Sequence, residues 1–118
     1  MIEQLQLNLF MAWRDHAVAQ GVVPVVIDVR EPWELQAASV CADGFELLHM
    51  PMQTIAARQH ELKATYGADH PIALLCHHGV RSQQVALFLE HHGFTGLVNL
   101  QGGIDAWSQQ LDDRVAQY

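Results

Sequence analysis

Basic residues are scarce in this chain. Six Lys and Arg stand against thirteen Asp and Glu in 118 residues, for a formal charge of −7. That balance argues against nucleic acid or an anionic membrane surface as a partner. The eight histidines soften it: protonating all of them would bring the sum close to zero, so solubility would suffer at about pH 5–6. Long apolar runs are missing too. Nothing approaches the roughly 18 residues that a membrane span needs. Glu3 and Gln4 interrupt any early apolar stretch, and no basic region precedes one, so no targeting signal is read. The expectation is a soluble, cytoplasmic protein. Only two cysteines occur, Cys41 and Cys76, too few for a disulfide framework; a single bridge between them is disfavoured in a reducing compartment. Metal-ligand spacings are absent: there is no Cys-x-x-Cys and no His-x-x-x-His. The adjacent pairs His77-His78 and His91-His92 are poorly placed to share one ion. No metal and no other cofactor is expected. Repeats, low-complexity stretches and linkers are lacking as well, and the length fits one domain over residues 1–118.

What remains is half hydrophobic, and its patterning alternates between two kinds of element. Ile2 to Ala19 reads as an N-terminal helix, although the Leu5/Leu7/Leu9 alternation leaves a short strand open at its start. Gly21 closes it. Pro24 to Val29 is an apolar run like that of a buried parallel strand. Pro32 suits the first turn of a helix reaching about Ala38. Glu46 to Met50 is a second strand candidate. Thr54 is placed to cap a helix carrying Ile55, Leu62 and Tyr66, ended by Gly67. Ile72 to Leu75 reads as a third strand and Ser82 to His92 as a helix. Leu97 to Leu100 and Ile104 to Leu111 follow as strand and helix. Such alternation predicts an α/β domain, three layers deep, with a mostly parallel central sheet and helices on both faces. Sheets of that kind bind ligands at the carboxyl ends of their strands.

Cys76 falls at one of those ends. The apolar segment Pro71-Ile72-Ala73-Leu74-Leu75 precedes it, and His77-His78-Gly79-Val80-Arg81-Ser82 follows. Val85, Phe88, Leu89 and His92 then recur at helical spacing. A cysteine between a buried strand and a helix N-terminus lies where successive backbone N–H groups can converge on an anion. That field favours the thiolate, the nucleophilic form. Gly79 permits a positive φ where the loop curls. Arg81 adds a fixed charge with a fork suited to two oxygens, or else pairs with a carboxylate of the scaffold. Ser82 reads as a helix cap or as a donor to the sulfur. Asp28, Arg30 and Glu34 form a charged cluster after the first strand. They read as an ion-pair network bracing the strand end, with Arg30 adding to the field over Cys76 as the alternative. Cys41 reads as a small, partly buried thiol, or as a resolving partner for Cys76.

Three segments together resemble the rhodanese-type sulfurtransferases. Cys76-His77-His78-Gly79-Val80-Arg81-Ser82 resembles their active-site loop. Val26 to Glu34 is similar to their early strand-then-helix segment, and Leu100-Gln101-Gly102-Gly103-Ile104-Asp105-Ala106-Trp107 to their closing signature. The resemblance spans about residues 22–111. It implies a rhodanese-like fold and sulfur transfer through a Cys76 persulfide. The donor would be a small anion such as thiosulfate, and the acceptor a thiol, a protein or cyanide. Loop residues His77 to Ser82 would bind the persulfide, with Asp28 and Arg30 in support. Gly44 to Met52 departs from the family's pattern, which leaves substrate preference open. A monomer is expected, since nothing in the sequence demands an oligomer.

Rival readings remain. Cysteine phosphatases place five residues between Cys and Arg, whereas four separate Cys76 from Arg81, a smaller ring better suited to one sulfur atom than to a phosphoryl group. A non-catalytic interaction module is the other alternative, weakened by the presence of the cysteine itself.

Overall fold

The computed structural model describes residues 1–118. Its elements run β1 (Glu3–Gln6), a 3-10 turn (Leu7–Leu9), α1 (Phe10–Ala19), β2 (Val25–Asp28), α2 (Pro32–Ala37) and β3 (Glu46–His49). A second 3-10 turn (Met52–Thr54), α3 (Ile55–Tyr66), β4 (Ile72–Leu75), α4 (Val80–His91), β5 (Leu97–Gln101) and α5 (Gly103–Gln110) complete the chain. The five strands form one sheet in the order β1-β5-β4-β2-β3, and every pairing is parallel. Parallel sheets need both faces covered, and β2 and β4 are buried along their whole length.

Side-chain alternation sorts the core into two layers. Val25, Ile27, Val29, Ile72 and Leu74 face Ile55, Leu62, Val85 and Leu89, which belong to α3 and α4. On the other face Val26, Ala73, Leu75 and Leu100 meet Phe10 of α1 and Ile104 and Trp107 of α5. Phe10, Phe45 and Trp107 anchor that second layer, with ring centroids 4.9 to 5.9 Å apart. The three-layer α/β architecture is therefore as expected.

Several local expectations are corrected. Residues 1–20 are not one helix: β1 occupies Glu3–Gln6, and α1 starts only at Phe10. Pairing with β5 in register Leu5↔Leu100 decides this, because it buries Leu5 while leaving Glu3, Gln4 and Gln6 on an exposed edge. The sheet thus has a fifth strand. Thr54 does not cap α3; it has helical backbone angles, and its hydroxyl donates to the Pro51 carbonyl. Helix α4 begins at Val80, two residues ahead of Ser82, so Ser82 lies inside the helix and Gly79 is the cap residue. Cys41 is exposed, and both cysteines are free thiols.

Topology fixes where a ligand would go. The chain leaves β2 toward the β3 edge and leaves β4 toward the β5 side. Adjacent strands whose outgoing connections diverge leave a crevice at their carboxyl ends. Asp28 and Leu75 are paired there. The segments that follow them, Val29 to Pro32 and Cys76 to Gly79, form the crevice walls.

Candidate functional site: the Cys76 loop

Cys76 continues the alternation of Ile72 and Leu74, so its side chain points to the α4 face of the sheet. It is 1% exposed. Its Sγ accepts hydrogen bonds from the Gly79 amide at 3.0 Å and the Ser82 amide at 3.4 Å. The Ser82 hydroxyl lies 3.3 Å away. The loop therefore curls around the sulfur, as the sequence reading requires. Gly79 makes the curl possible: its φ is +101°, and a Cβ there would sit 3.2 Å from the Gly102 amide. The N–H groups of Val80 and Arg81 begin α4, where no preceding turn supplies an acceptor.

The glycine pair of the closing segment explains how the loop start is held. A Cβ on Gly103 would collide with the carbonyls of Cys76 and His77. Without it, the start of α5 closes in, and the amides of Ile104 and Asp105 donate to those carbonyls at 2.8 and 3.2 Å. Both carbonyls are thereby held by the start of α5.

Two polar networks support the loop. Asn99, 2% exposed on β5, accepts from the Ser82 hydroxyl at 2.5 Å. Its amide nitrogen donates to the Gly79 carbonyl at 3.1 Å and to Gln4 of β1 at 2.9 Å. Ser82 has a single hydroxyl hydrogen, and here it goes to Asn99. Its oxygen is left able to accept from a Cys76 thiol, and donation to a thiolate requires the hydroxyl to turn.

The second network is ionic. Arg30 is fully buried and forks onto Asp28 at 2.8 to 3.1 Å. It also donates to the Ala38 carbonyl and the Tyr118 hydroxyl. Burial works against its charge, but the hydrogen bonds to Asp28 and Tyr118 outweigh that and raise its pKa. Asp28 and Arg30 thus form a paired, braced unit beside the loop. Arg81 is not left free to meet an incoming anion: two of its guanidinium nitrogens grip Glu34 at 2.6 and 2.8 Å. The scaffold-carboxylate alternative describes it. That fork, against the opposing effect of burial and helped by the Tyr118 hydroxyl, lowers the Glu34 carboxyl to about 2. Val80 projects outward, 68% exposed. His77 and His78 are not simply solvated: their rings stack at 3.9 Å, and the Tyr118 ring stacks on His77 at 3.8 Å and 9°. Burial first, and then His78, holds His77 below the ordinary imidazole range.

Asn99, Tyr118 and the Arg81-facing role of Glu34 escaped the sequence reading. Asn99 carried a signal, a lone amide in the apolar strand Leu97-Val98-Asn99-Leu100. Glu34 was noticed only as part of the charged cluster. Tyr118 carried none.

The model of the family described as "Rhodanese-like domain" matches residues 12–110. The chain belongs to the rhodanese-like domain family. The match starts about ten residues before the motif-based resemblance and ends with it. A thiosulfate sulfurtransferase, GlpE, of Pseudoalteromonas translucida is 30% identical over 91 residues, covering 77% of this chain and 79% of the relative. A chloroplastic rhodanese-like/PpiC domain-containing protein of Arabidopsis thaliana is 33% identical over 93 residues, or 79% of this chain. That match spans only 30% of the Arabidopsis protein. Among solved structures, a human single-domain sulfurtransferase, TSTD1, superposes with a TM-score of 0.68 at 18% identity, covering 93% of this chain and 98% of the other. The rhodanese fold is thereby shared, and sulfurtransferases stand among the relatives. No helix is long and apolar enough to cross a membrane.

Proposed function

We propose that this protein is a sulfurtransferase that carries sulfane sulfur on Cys76. The observation that carries the reading is the Cys76 sulfur under the Gly79 and Ser82 amides, at the carboxyl end of β4 and in the crevice of the sheet. In the first half-reaction the Cys76 thiolate attacks the outer sulfur of a donor such as thiosulfate. A Cys–S bond to that sulfur forms, the bond to the sulfonate sulfur breaks, and sulfite leaves with the electron pair. In the second, a thiol, a protein thiol or cyanide attacks the outer sulfur and the Cys76 thiolate departs. Donors fixed before the negative charge arrives stabilise it without reorganising. The amides of Gly79 to Ser82 serve this role, the first turn of α4 adding its unpaired N–H groups. Asp28 and Arg30 brace the neighbouring crevice wall, and His77, His78 and Val80 shape the mouth. The reaction needs no metal or organic cofactor, and the protein works as a cytoplasmic monomer.

Intact mass after thiosulfate treatment tests this. Wild type gains one sulfur, about 32 Da, reversed by cyanide, and Cys76→Ser gains none while keeping its fold. A gain that persists in Cys76→Ser, or no gain in either, overturns the assignment of Cys76 as carrier from thiosulfate.

A further inference from the structure

The contacts of Tyr118 converge on the Cys76 loop from two directions. Its ring lies flat on His77, the first residue after the cysteine, at 3.8 Å. Its hydroxyl donates to Glu34 at 2.6 Å, and the same carboxylate holds Arg81, near the far end of the loop. Arg30 donates to that hydroxyl at 3.0 Å. A polarised chain thus runs from Arg30 through Tyr118 to Glu34, and Arg81 donates to the same carboxylate from the other side. Between the two held points lies Gly79, the left-handed residue on which the curl depends.

We propose that Tyr118 is a positioning residue that staples the Cys76 loop at both ends, directly at His77 and through Glu34 at Arg81. The inference rests on the sulfur-transfer reading for its kinetic consequence, but its structural part stands apart from that reading. Tyr118 makes no contact with the sulfur. It acts by keeping the Gly79 and Ser82 amides aimed at Sγ before charge develops there, which is where preorganised donors contribute to rate. Loss of the staple lowers kcat, because the amides must then be ordered during the reaction. The KM for thiosulfate stays nearly constant.

Tyr118→Ala removes both attachments, whereas Tyr118→Phe keeps the stack and breaks only the Arg30–Tyr118–Glu34 chain. The readouts are amide hydrogen exchange by NMR on the whole chain, and kcat and KM for thiosulfate with cyanide as acceptor. In Tyr118→Ala, exchange at Gly79 and Ser82 accelerates about tenfold relative to the amides of β2 and β4, as expected for loss of one stack and of the hydroxyl's two hydrogen bonds, partly replaced by water. The kcat falls by a similar factor while KM moves less than about threefold. Tyr118→Phe, which keeps only the stack, shows an intermediate effect on both. Unchanged exchange at Gly79 and Ser82, or an acceleration shared equally by β2 and β4, overturns the proposal. So does a loss expressed in KM alone. If wild type proves inactive with thiosulfate, the sulfur-transfer reading fails with that donor, and the exchange comparison still decides whether Tyr118 staples the loop.

Discussion

Toward β5 the Cys76 loop rests on neutral groups, Asn99, Gln4 and the Ser82 hydroxyl. Toward α2 it rests on ions, Arg81 with Glu34 and Arg30 with Asp28. On the neutral side Asn99 and Ser82 are buried in the sheet and only Gln4 reaches the exposed edge, so water is poorly placed to replace a lost partner of the loop. The ionic side reaches the surface, Arg81 being about a third exposed, so solvent can compensate part of a loss. One loop is thus held by two devices with different responses to mutation and pH. Their separation makes each one testable.

The largest effect is expected from Asn99→Ala. It removes a buried partner from the Gly79 carbonyl and from the Ser82 hydroxyl, which keep only the Gln83 amide and Cys76 Sγ. Each lost bond costs roughly 1 kcal/mol, and the truncated side chain leaves a cavity. Urea unfolding should show a loss of about 3 kcal/mol in total. The loss should be the same at pH 7 and at pH 4, because no group on this side titrates between them. A loss under about 1 kcal/mol would mean that the loop relaxes and finds other partners.

Glu34→Gln probes the ionic side. The carboxyl stays charged down to about 2 in the fold against 4.5 in the reference state. A depressed carboxyl stabilises above its unfolded pKa, and that contribution disappears as pH falls toward the folded value. The shift corresponds to about 3 kcal/mol, reduced to about 2 by the exposure of Arg81. At pH 7 the variant should therefore be about 2 kcal/mol less stable than wild type. The gap should narrow steadily below about pH 4.5, because only wild type loses the ion pair there. A gap that stays constant to pH 3 would erase the contrast between the two sides.

Arg81→Ala should cost less, about 1 kcal/mol, since its partner keeps the Tyr118 hydroxyl and the Glu31 amide. Steady-state kinetics should find the thiosulfate KM within about threefold of wild type, because the fork faces Glu34 and not the donor. A KM increase of about tenfold or more would mean that the guanidinium releases Glu34 to bind the donor during turnover.

Legibility in the sequence followed the range of the forces. Apolar runs marked β2 and β4 to within a residue, because strands buried on both faces leave little choice of side chain. The loop's ends were placed by glycine and by helical periodicity. The β1 strand was obscured because an edge strand keeps polar residues that also suit a helix; only its partner β5, more than ninety residues away, decides between them. Long-range side-chain pairing was hidden for the same reason. Arg81 and Glu34 are 47 positions apart, and Tyr118 lies 84 beyond Glu34. No local pattern encodes such pairs. The curl of the Cys76 loop could nevertheless be read, because Cys76, Gly79 and Ser82 sit within seven consecutive residues and the Gly79 and Ser82 backbone amides reach the Cys76 sulfur locally.

The smallest effect is expected where neither device reaches. Cys41 has the same side chain as Cys76, but it is exposed and borders a shallow pocket with Arg14, Phe45 and Trp107 on the α1–α5 side of the sheet. Cys76 instead projects from the α4 face. Without a cradle of amides, a thiol has nothing to stabilise an added sulfur. Cys41→Ser should leave unfolding free energy within about 0.5 kcal/mol. Transfer kinetics should stay within about twofold of wild type. The decisive measurement is turnover with the Cys76 persulfide preformed. If Cys41 were a resolving thiol it would have to reach across the sheet, and its removal would prolong the persulfide's lifetime. An unchanged lifetime makes the contrast between the two cysteines one of surroundings alone, since their chemistry is identical.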